Sequence, residues 1–102
     1  METKVYYLHI PSGYSRRGTI AAIIKNDELY IGVSLCSPKD NFSKSIGRSI
    51  SAGRADKKAY KIVKIDKLKI IPGRIGKYIG SELAIVLNQI VEENNICVFS
   101  LR

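Results

Sequence analysis

Arginine follows glycine twice within residues 36–55, Cys-Ser-Pro-Lys-Asp-Asn-Phe-Ser-Lys-Ser-Ile-Gly-Arg-Ser-Ile-Ser-Ala-Gly-Arg-Ala. The pairs are Gly47-Arg48 and Gly53-Arg54, with Lys44 one helical turn before Arg48. A guanidinium is a planar fork that donates two parallel hydrogen bonds to a phosphate or carboxylate, whereas an ammonium is a point charge. A glycine beside the fork lets a ligand or another backbone come close. This pattern suits an oxyanion. The same small residues would also permit tight helix-on-sheet packing or a subunit contact.

Two further stretches offer similar groups. Tyr14-Ser15-Arg16-Arg17-Gly18 places two arginines after an aromatic ring that suits stacking on a base. Gly73-Arg74-Ile75-Gly76-Lys77 puts cations and free backbone donors at an expected helix N-terminus, a setting that favours an anion. It lacks the Gly-Lys-Ser/Thr signature of a P-loop. The lysines of residues 57–69 carry less weight, because a charge-studded edge strand is a common guard against aggregation. The candidate ligand-binding residues are therefore Tyr14, Arg16, Arg17, Lys44, Arg48, Arg54 and Arg74.

Catalysis finds little support. The sequence has no nucleophile paired with a base and no Cys/His spacing of a zinc site, and no cofactor is expected. Asp40 is assigned to a helix cap, and Glu92-Glu93 fall at a helix end. His9 is the single histidine, and a packed or edge-exposed position in a strand is its expected place. Cys36 and Cys97 sit in apolar, strand-like contexts and read as buried free thiols of a reducing compartment. A binding protein rather than an enzyme is the expectation.

The charge balance agrees with that chemistry. Lys and Arg number 17 against 9 Asp and Glu, a net charge of +8 with a pI near 9.7. Such a chain attracts polyanions: nucleotides, nucleic acid or an acidic protein face. The 102 residues, 45% hydrophobic, suffice for one modest core and one domain spanning 1–102. No apolar run is long enough to span a bilayer, and the first residues lack the pattern of a secretory signal. A cytoplasmic protein without a membrane partner is expected.

The elements that must position these groups read as follows. Residues 4–10 form a strand closed by Pro11-Ser12-Gly13. Residues 18–25 and 28–36 form a hairpin through Asn26-Asp27. In its second strand Leu29, Ile31, Val33 and Leu35 alternate with Tyr30, Gly32, Ser34 and Cys36, as in a sheet with one face in the core. Ser37 as cap, Pro38 at the first helical position and Asp40 as capping-box acid predict a helix running to Arg54 or Ala55. Its apolar stripe would be Phe42, Ile46, Ile50 and Gly53, with Lys44, Arg48 and Ser51 on the opposite face. A strand over 60–71 ends at Pro72-Gly73. A second helix follows to Asn94-Asn95, with Ile79, Leu83, Val86, Leu87 and Ile90 in the core, and a last strand covers 95–102. The sum is an α+β domain, β-β-β-α-β-α-β, with a mainly antiparallel sheet and two packed helices.

Within this layout the stretch Cys36–Ala55 resembles one in small proteins of tailed phages and prophages, where a strand-end Cys-Ser-Pro leads into a helix with Phe-Ser-Lys and Gly-Arg. It covers about a fifth of the chain. Such proteins often act on host defence, and the resemblance to Thoeris anti-defence sponges implies an oligomer that traps a nucleotide signal without cleaving it. Lys44, Arg48 and Arg54 would then belong to a ligand or assembly surface. Two alternatives use the same cations: a DNA- or RNA-binding stripe, and an inhibitor of a host nucleoprotein such as a CRISPR effector.

Overall fold

A computed structural model describes residues 4–37, 41–65 and 73–98. The chain runs β1 (Val5–His9), β2 (Gly18–Lys25), β3 (Glu28–Leu35), α1 (Lys44–Lys57), β4 (Lys61–Lys64) and α2 (Ile75–Glu93). The four strands form one antiparallel sheet in the order β1-β2-β3-β4, so the α+β architecture expected from the pattern is the one observed. The hairpin closes as predicted: Lys25 pairs with Glu28, and Asn26 and Asp27 both take positive φ, 50° and 61°. That is the left-handed pair a two-residue hairpin requires, and Asn and Asp tolerate it best after glycine.

Both faces of the sheet are covered, where one had been expected. On one face Ile10, Ile20, Ala22, Leu29 and Ile31 pack against Ile79, Leu83, Val86 and Ile90 of α2. Each such isoleucine or leucine contributes roughly 1.5–3 kcal/mol when removed from water, so this layer holds the main core. The opposite face presents Thr19, Ala21, Gly32 and Ser34, and α1 lies on it. β2 is consequently buried along six consecutive residues.

The packing face of α1 differs from the expected one. Gly47, Ser51 and Ala55, at i, i+4 and i+8, are buried against the sheet, while Ile46 is 61% and Ile50 41% exposed. Gly32 explains the change. A methyl there would overlap the Ser51 carbonyl oxygen and the Ala55 nitrogen, and one on Gly47 would overlap the Thr19 hydroxyl. The helix backbone rests almost on the sheet, and only small residues fit between. Ser51, expected among the cations, instead donates its hydroxyl to the Gly47 carbonyl at 2.7 Å, which satisfies it inside.

The helix also begins later than predicted. Ser43 is the cap, its hydroxyl accepting from the Ile46 amide at 3.3 Å, and the last turn reaches Lys57. Ser37 lies upstream of the helix, and Pro38 and Asp40 fall outside the described residues. Starting at Ser43 leaves Phe42 in the preceding loop, free to pack on the sheet end. The fourth strand is shorter than expected, Lys61–Lys64, with residues 66–72 outside the description. The expected final strand is reduced, among the described residues, to a bridge between Tyr14 and Val98; 99–102 lie outside. Cys36 and Cys97 are free thiols, but Cys97 is exposed and Cys36 half-buried. No helix among the described residues is long and apolar enough to cross a membrane.

Candidate anion-binding site

The start of α1 and the end of β1 bring four cationic or titratable side chains to one place. His9 ends β1 on the α1 face of the sheet, and its Nδ1 lies 2.8 Å from the Thr19 hydroxyl on the neighbouring strand. Phe42 meets the imidazole edge-on, ring centroids 5.9 Å apart. The Arg17 guanidinium lies over that phenyl ring at 4.6 Å. Arg17 is held by its backbone, whose carbonyl accepts from the Cys36 amide at 2.8 Å, and its buried Nε has no hydrogen-bond partner among the described residues. Lys44 and Arg48, one turn apart on α1, are both exposed.

The charges report their proximity through His9. Its pKa is pushed below the ordinary value, first by burial and then by repulsion from Lys44, Arg48 and Arg17. The imidazole is therefore a neutral group at neutral pH, placed among three permanent cations. Lys44 also stands in the first turn of α1, where no acid balances the helix. A cation there opposes the helix dipole and costs about 0.3–1 kcal/mol. An anion bound beside Ser43 and Lys44 would reverse each of these repulsions.

Comparisons with protein-family models, curated proteins and solved structures give no match.

Of the seven residues singled out by type and spacing, Arg17, Lys44 and Arg48 come together here. Arg16 is engaged elsewhere: its Nε and Nη2 donate to the Cys36 carbonyl at 3.3 and 3.1 Å. Arg54 donates from Nη1 to the Val33 carbonyl at 2.7 Å, on the far flank of α1. Tyr14 packs, partly buried, against the main core rather than beside these three cations. Arg74 is the N-cap of α2, in the helix layer on the other face of the sheet. His9, Thr19 and Phe42 were not foreseen as site residues. Strand alternation puts His9 and Tyr7 on one face, and Tyr7 is exposed there, which makes it the aromatic group that suits stacking. Among the described residues no cluster of His, Cys, Asp or Glu is fit to hold a metal ion.

The other flank of α1 has a different character. Between it and the end of β3 lies a cavity of about 310 Å³, lined by Leu35, Cys36, Phe42, Ile46, Gly47 and Ile50 among others. A second, of about 380 Å³, lies at Val33, Arg54, Lys58, Ala59 and Tyr60. Phe42 thus stands between the cationic cluster and the apolar wall of the first cavity.

Proposed function

We propose that the protein is a non-catalytic binder of a phosphate-bearing, nucleotide-type anion. Arg17, Lys44 and Arg48 supply the charge, and Tyr7 or Phe42 supplies an aromatic surface. The observation that carries this reading is the convergence of three cations on a helix start that has no acid in its first turn, around an imidazole that they help to keep neutral. Mutual repulsion of this kind is a cost to the free protein that a bound anion removes, so the arrangement favours occupancy. The specific form we assign is capture of a nucleotide-derived immune signal, the role implied by the resemblance to phage anti-defence proteins. Sequestration needs only tight holding, and the site offers donors and charge rather than a nucleophile.

Native mass spectrometry of the protein with cyclic nucleotides, adenosine-diphosphate-ribose relatives and a short DNA duplex tests this directly. A small nucleotide retained at fixed stoichiometry is the expected outcome. Arg48→Ala should weaken it about 10- to 100-fold, since a hydrogen bond to a charged group is worth about 1.5–3 kcal/mol. Retention of duplex alone, with an affinity that falls steeply as salt rises, would replace this reading with nucleic-acid binding along the exposed cations of α1.

A further inference from the structure

The geometry points to a second binding surface: the groove between α1 and the open edge of β3 receives an extended, acidic segment of a partner protein, added to the sheet as a further strand. β4 covers only part of β3. Its pairing ends with Lys61 opposite Ile31, and the last contact is the Tyr60 amide donating to the Ile31 carbonyl at 2.8 Å. Beyond it β3 continues through Leu35.

The direction of the backbone groups there follows from the ladder. The Cys36 amide donates to the Arg17 carbonyl on the β2 side, so the alternate residues Leu35 and Val33 aim their N–H and C=O groups away from β2. The Val33 carbonyl confirms this by accepting from Arg54 on α1. Among the described residues no strand pairs with Val33 or Leu35 on that side. With the Val33 carbonyl engaged by Arg54, the Val33 amide and the Leu35 backbone groups are what this edge offers another chain as a template. Recognition by strand addition needs this edge together with recesses for alternate side chains. Both are present, for the two cavities flank Val33–Leu35 and the exposed Ile46 and Ile50 form an apolar wall.

Charge selects the occupant. Arg54 and Lys58 line the second cavity, and no described Asp or Glu lines either cavity. A second copy of the chain, paired about a two-fold axis, would set Arg54 and Lys58 near their own equivalents, with +8 on each copy. A segment alternating apolar and acidic residues meets the isoleucines on one face and the cations at its rim, without that repulsion.

The test uses the full-length protein, labelled for NMR, and a capped eight-residue peptide of alternating glutamate and valine, with the lysine-valine peptide as control. The acidic peptide should shift the Val33 and Leu35 amides and slow their hydrogen exchange, and the basic one should do neither. Ile50→Glu, at an exposed position that leaves the fold intact, should weaken the acidic peptide at least tenfold. Shifts confined to His9, Arg17, Lys44 and Arg48 would overturn the proposal, as would no binding at millimolar peptide. Protection of Val33 and Leu35 that grows with protein concentration alone would overturn it in favour of a second copy.

Discussion

In the proposed anion site, His9 would couple binding to pH. Its pKa lies below the ordinary value because burial and three nearby cations disfavour the imidazolium. In the free protein this makes the folded state the weaker proton binder. The contribution to stability is complete above the unfolded-state pKa of about 6.5 and is lost as pH falls through the lower folded value. A phosphate bound there would reverse the local sign and raise the imidazole pKa, so that His9 would take up a proton on binding. Affinity for a nucleotide should therefore rise as pH falls from about 7.5 to 5.5, while the free protein loses stability over the lower part of that range. Calorimetric titration in buffers of different ionisation enthalpy reads the proton uptake, and His9→Gln should abolish it while keeping the fold. Equal affinity across the range in the native protein would separate His9 from the site. The sequence pointed to Arg17, Lys44 and Arg48 by residue type. It could not point to His9, because the surroundings of a strand histidine depend on what α1 brings over it.

At the scale of the elements, the placement of α1 rests on glycine rather than on hydrophobic bulk. Gly32→Ala would drive a methyl into the backbone of α1 at Ser51 and Ala55, and should cost about 1–3 kcal/mol or displace the helix. Gly53 is the control. It lies in the same helix with open space around the position of a β-carbon, so Gly53→Ala should stabilise by up to about 1 kcal/mol through helix propensity. Chemical denaturation of the two variants measures both signs; a neutral Gly32→Ala would mean that α1 does not lie as close as this. The contrast with α2 explains what was legible beforehand. Ile79, Leu83, Val86, Leu87 and Ile90 announce their face by periodicity, and all five are buried. In α1 the same reasoning chose Phe42, Ile46, Ile50 and Gly53, and was misled because the true contact stripe is Gly47, Ser51 and Ala55. Small residues at helical spacing, facing a strand that carries its own glycine, are the signal that would have found it. The hairpin at Asn26-Asp27 was legible because its turn chemistry is local. The start of α1 was not, because Ser37 and Ser43 are chemically equivalent caps and tertiary packing chooses between them.

The whole molecule carries a charge of +8 on 102 residues, and its repulsion is a term that no single contact offsets. The Lys25–Asp56 pair, 2.8 Å apart, is exposed at the end of the sheet, and its own contribution is small. Screening should consequently stabilise the fold. Between 20 and 300 mM sodium chloride the Debye length shrinks severalfold, and the melting temperature should rise by several degrees, equivalent to roughly 1 kcal/mol for a domain of this size. The proposed anion site would add a second, specific component. At matched ionic strength sulfate should raise the melting temperature beyond chloride, partly through its general exclusion from protein surfaces and partly by occupying the cluster. Arg48→Ala isolates the second part: the sulfate excess should shrink in the variant, while the chloride response persists at slightly lower slope because one charge is gone. An unchanged excess would leave only the general salt effect and remove the anion site. A melting temperature that falls as chloride is added would instead mean that attractive pairs outweigh the repulsion, contrary to the charge balance of the chain.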